Sequence, residues 1–391
     1  MPYGRRTYLD FAAAAPTRAA ARGAYERASR RFGNPSSPHA EGRAAKAILE
    51  DARTALAREL SVKPDALVFT SGATESNNIA LIGHVEALAA AGRAYESIHL
   101  LYAPSAHASV VHTVAALARR GVMAEPLPLA AGAVDLAALA RMVRPETALV
   151  AMDAVCGETG IIWNTREVRH ALDAARPSGP RILLLADAAQ APLVEDVTRT
   201  RIGADLLSLD AQKIGGVRGI GVLVADRTTA LSPVMFGGGQ ERELRSGTPS
   251  PALAAAFSAA LREAGEERDA FRARASLMRA RLISFVTERY PGALVNGGKR
   301  QAPHILNLSF PGKDTDYLVA LLDEAGFAVS TRSACETDAE GSRAVFALYG
   351  DPERAKSTLR VSWGSAVSER ALRAFGRTLL GSLAFIDNAA S

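Results

Sequence analysis

One of the chain's six lysines stands directly after an apolar run, in Ser208-Leu209-Asp210-Ala211-Gln212-Lys213-Ile214-Gly215-Gly216. Glycines and apolar residues follow it, where a surface lysine would have polar, solvating neighbours. An acid closes a second apolar run in Leu184-Leu185-Ala186-Asp187-Ala188-Ala189-Gln190. Open α/β sheets bind ligands at such strand ends, although an isolated Asp187 could equally cap the turn that follows. A third segment, Phe69-Thr70-Ser71-Gly72-Ala73-Thr74-Glu75-Ser76-Asn77, reads as a strand, a small-residue turn and a helix start. Free N–H groups and hydroxyls at a helix start suit a phosphate, and N-capping by Ser71 or Thr74 accounts for the local pattern as well. The segment lacks the G-x-x-x-x-G-K-[ST] arrangement, and no G-x-G-x-x-G follows a strand, so nucleotide fingerprints are missing. An anion anchor, an acid for a pyridinium nitrogen and an amine for a Schiff base are together what pyridoxal phosphate requires.

The two cysteines, Cys156 and Cys335, are too few and too far apart for a zinc ribbon, an iron–sulfur ligand set or a disulfide framework. Cys335 lies in Ser333-Ala334-Cys335-Glu336-Thr337-Asp338-Ala339-Glu340-Gly341-Ser342, a polar segment expected to be an accessible loop over about 333–343. Cys156, in Ala154-Val155-Cys156-Gly157, has the apolar setting of a buried structural thiol.

To present these groups together the chain needs a sheet whose strands end side by side. Six apolar runs, 66–70, 97–102, 147–152, 181–186, 205–209 and 220–225, read as strands covered on both faces. Helical spacing of Ala, Leu and Val at 75–92, 108–120, 135–143 and 166–176 completes an α/β pattern with a mostly parallel sheet. After Phe236-Gly237-Gly238-Gly239-Gln240 the composition changes to a long Ala/Arg/Glu helical region, 251–289. Strands at 304–310 and 359–363 and helices at 314–325 and 368–386 then read as a smaller α+β unit. The expected division is a large domain, 12–260, and a small one formed by 1–11 and 261–391.

The 391 residues are 48% hydrophobic and 22% charged, which excludes a disordered chain. Residues 1–6 lead into no apolar signal-like run, and no stretch approaches a membrane span, so a cytoplasmic protein is expected. The net charge of +5 comes from arginines scattered along helices with no interleaved aromatic block, which points to a solvated surface and away from nucleic acid.

Taken in order along the chain, these segments resemble the cysteine desulfurases of the class V aminotransferases, fold type I. The likeness runs through Tyr8-Leu9-Asp10, Phe32-Gly33-Asn34-Pro35-Ser36-Ser37 with His39, 69–77, Asp187-Ala188 with Gln190, Lys213, Arg245-Ser246-Gly247-Thr248, Ser333-Ala334-Cys335 and Arg360-Val361-Ser362. The resemblance implies that Lys213 forms the Schiff base, that Asp187 pairs with the ring nitrogen, that His107 stacks on the ring and relays protons, and that Gln190 contacts the ring hydroxyl. Without it, His107 reads as a polar residue at a helix start. By the same likeness Ala73, Thr74 and Gln212 hold the phosphate, Thr248 reaches the phosphate of a second subunit in a homodimer, and Arg360 and Asn34 bind the substrate carboxylate. Cys335 would take sulfur from L-cysteine as a persulfide, leaving L-alanine. Its segment, running on to Gly350, is similar to the long-loop group, which delivers sulfur to an acceptor protein for iron–sulfur cluster assembly or tRNA thiolation.

Five positions depart from the family pattern. Asp210 and Gln212 replace a hydroxyl and an imidazole expected at the phosphate, so Asp210 must point elsewhere or phosphate binding must be rearranged. Cys156-Gly157 replaces an Asn-Asn pair, which costs Arg360 a helper, and Leu185 replaces a histidine. A selenocysteine lyase or other class V lyase or aminotransferase is the alternative enzyme, and a catalytically impaired paralogue serving as a scaffold is the alternative of another kind.

Overall fold

Helices on both faces bury the central apolar runs residue by residue. In the computed structural model, which describes residues 6–130, 132–331 and 341–389, these runs form a seven-stranded sheet. Its strand order is Leu67–Thr70, Gly221–Ala225, Leu206–Asp210, Leu183–Asp187, Thr147–Asp153, His99–Tyr102 and Met123–Pro126. Gly221–Ala225 is antiparallel to both neighbours, and the other pairings are parallel. The expected α/β class with a mostly parallel sheet is therefore the observed one. The edge strand Met123–Pro126, half-exposed and ending in proline, carries no apolar run and was not anticipated.

Helices Ala19–Ser29 and Ala40–Leu60 also lay outside the sequence expectation. They pack against the long helix Pro251–Arg289, which begins as proposed, with Pro251 in its first turn and Ser250 Oγ accepting the Leu253 N–H. That helix runs across position 260, where the sequence suggested a division. Beyond it, Leu294–Asn296, Ile305–Ser309 and Thr358–Ser362 form an antiparallel sheet, with helices Thr315–Glu324 and Glu369–Ala389 in the same part of the chain. Thr7–Tyr8 pairs with Phe327–Ala328, and Asp10 bridges to Ser362, so the N-terminal segment joins this second sheet region. Arg343–Tyr349 is helical, capped by Ser342, although the stretch on to Gly350 had read as loop. Among the described residues no helix is long and apolar enough to cross a membrane.

Candidate active site

Parallel strands deliver their C-terminal ends to one edge of the sheet, and the turns leaving those ends wall a cavity of ≈ 190 Å³. Ala73, Thr74, His107, Asp187, Gln190, Gln212, Lys213 and Arg360 all line it. Thr248 is exposed and outside this lining, and so is Asn34, whose Oδ1 accepts the Ser36 N–H at 2.9 Å. Cys335 lies outside the described residues.

Asp187 ends its strand and is held by two donors. The Ala189 N–H reaches Oδ1 at 3.0 Å, so the turn-capping role is real, and Asn77 Nδ2 reaches Oδ2 at 2.7 Å. An ionised carboxylate only accepts, which fixes the Asn77 amide with nitrogen toward Asp187 and oxygen toward the Ser208 hydroxyl, 2.6 Å away. Asn77 Nδ2 also donates to Ser109 Oγ at 2.9 Å, so the Ser109 hydroxyl directs its own proton to His107 Nδ1, 2.8 Å away. His107 caps helix Ala108–Ala118, with Nδ1 accepting the Ser109 N–H at 3.2 Å. With Nδ1 thus accepting, a neutral His107 carries its proton on Nε2. The sequence marked Asn77 only as part of a helix start; its link to Asp187 spans 110 positions.

Lys213 sits in one turn of 3₁₀ helix, Ala211–Ile214, closed by Gly215 at φ 81°, a left-handed conformation that favours glycine. Its Nζ donates to the carbonyls of Ala12 at 3.0 Å and Ala13 at 2.7 Å, and Gln190 Nε2 donates to the same Ala12 carbonyl at 2.8 Å. Asp210 does not turn to an arginine. Its Oδ2 accepts the Ala73 N–H at 3.2 Å and its Oδ1 the Gln212 N–H at 3.0 Å. Helix Ala73–Ala90 therefore starts on the Asp210 carboxylate, and neither Ser71 nor Thr74 caps it. Burial pushes the Asp210 carboxyl up from its ordinary value, offset in part by the Ala73 N–H and by Lys213.

Arg360, 3% exposed, donates from Nη1 to the Gly157 carbonyl at 3.1 Å and from Nη2 to Asp10 at 2.8 Å. The Gly157 backbone thus supports it where a side-chain amide was expected. Its Nε has no partner among the described residues, an unsatisfied buried donor on a cavity-lining side chain. Cys156 is 1% exposed and lines the same cavity; burial and the neighbouring Asp153 and Glu158 push its thiol up to about 12. Asp153, unforeseen, ends the strand beside Asp187 in register with it. Its Oδ1 has no partner among the described residues, and burial pushes the carboxyl up to about 7. Arg343 closes the wall, donating to the carbonyls of Pro104 and of Ala106, the latter at 2.7 Å.

This donor set fits pyridoxal phosphate at its ring: an amine for the aldehyde, an anchored carboxylate for the nitrogen and an imidazole line one cavity. At the helix start, where a phosphate would be held, a carboxylate already accepts one N–H. Among the described residues no cluster of His, Cys, Asp and Glu could hold a metal ion.

Residues 7–375 match the family model described as aminotransferase class-V. A cysteine desulfurase of Frankia sp. (strain EuIK1) is 36% identical over 358 residues, 88% of this chain and 83% of that protein. Among solved structures, a NifS-like protein superposes with a TM-score of 0.89 at 27% identity, covering 97% of this chain and 100% of its own. The structure of SspA in complex with cysteine does so with a TM-score of 0.76 at 27% identity, covering 91% and 98%.

Proposed function

The chain belongs to the class-V aminotransferase family, among its pyridoxal-phosphate-dependent cysteine desulfurases, and we propose that it converts L-cysteine to L-alanine with Lys213, His107 and Cys335. One observation carries the assignment: an amine, a carboxylate and an imidazole far apart in sequence line one cavity at one edge of the sheet. The cofactor, when bound, supplies an electron sink for charge developing at the substrate Cα. Lys213 Nζ would hold the cofactor at its aldehyde carbon, and as a free amine it is the base placed to take the Cα proton. Asp187 offers a fixed negative charge that keeps the ring nitrogen protonated. His107 would lie against the ring and exchange protons through Nε2, while Gln190, Ala73, Thr74 and Gln212 would hold the cofactor. Arg360 Nε, without a partner among the described residues, takes the substrate carboxylate.

Cys335 is the sulfur acceptor in this reading. Its thiolate attacks the substrate sulfur, the carbon–sulfur bond breaks with its electron pair going to carbon, and a proton replaces sulfur there. The Cys335 thiol and L-cysteine thereby give a persulfide and L-alanine. The only other cysteine, Cys156, supports this choice, since a buried thiol pushed up to about 12 supplies almost no thiolate. A homodimer sharing Thr248 across its sites, an acceptor protein for iron–sulfur assembly or tRNA thiolation, a cytoplasmic location and the division into 12–260 and the remainder complete the proposal.

Alanine release and the visible band of lysine-bound cofactor test it together. Lys213→Ala removes the band and lowers alanine formation by roughly 10³-fold or more. Cys335→Ser keeps the band and loses alanine formation. Undiminished alanine formation in either variant would overturn the corresponding role.

A further inference from the structure

Asp210 stands where a ligand anion would be expected. It ends strand Leu206–Asp210, is 9% exposed and lines the cavity, and its Oδ2 takes the first free N–H of helix Ala73–Ala90, the place that best suits a phosphate. The carboxylate packs closely against Gly72 on one side. A Cβ on Gly72 would lie 3.0 Å from Oδ2, and Gly72 is itself pressed on strand Gly221–Ala225, where a Cβ on Gly221 would lie 2.6 Å from the Gly72 Cα. The other carboxylate oxygen is tied to the Gln212 N–H.

The charged groups around it do not neutralise it cleanly. Lys213, on the next turn, favours its ionised form, but in the proposed reaction that amine is committed to the cofactor aldehyde. Asp187, ending the adjacent strand, opposes ionisation. On the helix that Asp210 caps, Glu75 accepts from Arg245 at 3.0 Å, so that arginine is already engaged. His107 lines the cavity from the turn after strand His99–Tyr102, and Asp153 adds a further acid.

We propose that Asp210 is a specificity-determining residue for the cofactor phosphate: it competes for the Ala73 N–H, and the chain must take up a proton as the phosphate enters. This rests on the reading that the cavity holds pyridoxal phosphate. Two anions sharing one helix start repel, and protonating the Asp210 carboxyl removes the repulsion and turns an acceptor into a donor to the phosphate oxygen. Hold on the phosphate therefore weakens as pH rises.

The test separates the phosphate from the rest of the cofactor. Apo-protein is titrated with pyridoxal phosphate and with pyridoxal, which lacks the phosphate, at about pH 6.5 and about pH 8.5, where the phosphate's own second ionisation near pH 6 is largely complete. Bound cofactor is read by equilibrium dialysis and by the visible band. In the unaltered chain the preference for the phosphorylated form should fall by about tenfold or more between the two pH values, a change of 1.4 kcal/mol or more. In Asp210→Asn it should stay constant and be larger at the higher pH. Asp210→Ser gives the same comparison should the asparagine variant fail to fold. An equal preference in all three proteins at both pH values overturns the role of Asp210 while leaving the cofactor reading intact. Failure of the unaltered chain to bind either aldehyde overturns both.

Discussion

Asp187 and Asp210 close adjacent parallel strands and line the same cavity, yet they are held in different ways. Asp187 accepts from a side chain, Asn77, which is itself fixed by Ser208 and passes the connection through Ser109 to His107. Among the described residues Asp210 accepts from backbone, at Ala73 and Gln212, and sits on a helix start that another anion would want. The position is nearly the same and the residue type identical. What differs is what holds the acid: a side-chain network in one case and the start of a helix in the other. The first arrangement fixes a charge; the second leaves one to be negotiated by protonation.

The sharpest way to break this comparison is to neutralise each acid in turn. On the proposed reading, Asp187→Asn removes the charge that would hold a proton on the ring nitrogen, and it places an amide against Asn77 Nδ2. Alanine formation should fall by about 10²–10³-fold, the size found when a preorganised electrostatic partner is removed. Asp210→Asn, in contrast, should strengthen cofactor hold at high pH. If both variants lose alanine formation to the same degree with unchanged cofactor affinity, the two acids are equivalent and the contrast fails.

A third strand-end acid sharpens it further. Asp153 lies directly opposite Asp187 in the sheet register, but its Oδ1 has no partner among the described residues and its carboxyl is pushed up to about 7, chiefly by burial and then by Asp187. Between the unfolded carboxyl's ordinary range and about pH 7 the native chain holds a proton there that the unfolded chain has released. Stability from this group is thus fully present at about pH 4 and is lost as the pH rises through about 7, with a span on the order of 4 kcal/mol. Asp153→Asn should flatten that part of the profile, measured as chemical-denaturation stability of the apo-protein from pH 4 to 8. Parallel profiles for the two proteins would show that Asp153 ionises as readily folded as unfolded.

How these groups could be read from the sequence follows from the range of the forces that place them. Lys213 and Asp187 were legible because an apolar run ending in polar or small residues announces a strand end, and parallel topology brings strand ends together; Gln190 was named only through the family resemblance. Asp153 stands one residue beyond the apolar run 147–152, and the hydrophobic pattern alone does not carry the strand onto an acid. Asn77 was visible as helix-start chemistry, but periodicity assigns a face and never a partner on another strand. Helix Ala19–Ser29 escaped for a different reason. Its buried stripe consists of Ala21, Ala24 and Ala28, residues too small to stand out against an alanine-rich chain. Gly157 was legible as a departure, but its consequence was not, because the backbone carbonyl supports Arg360 without any side chain.

Gly157 gives the smallest expected effect. Its φ is not in the left-handed region, and a Cβ built there would meet Gln190 Nε2 at 3.4 Å and Gln190 Cγ at 3.6 Å, ordinary contact with a flexible side chain. Gly157→Ala also leaves the carbonyl that accepts from Arg360 Nη1 in place. Stability should therefore stay within about 0.5 kcal/mol of the unaltered chain, and KM for L-cysteine should stay within about twofold, since a shift of 0.4 kcal/mol corresponds to that factor. A KM rise well beyond this, with kcat unchanged, would mean that the glycine itself shapes the pocket for the substrate carboxylate. The side of the cavity near Arg360 would then resemble the Asp210 side, tuned by the ligand's needs, and not the Asp187 side, fixed by the protein's own hydrogen bonds.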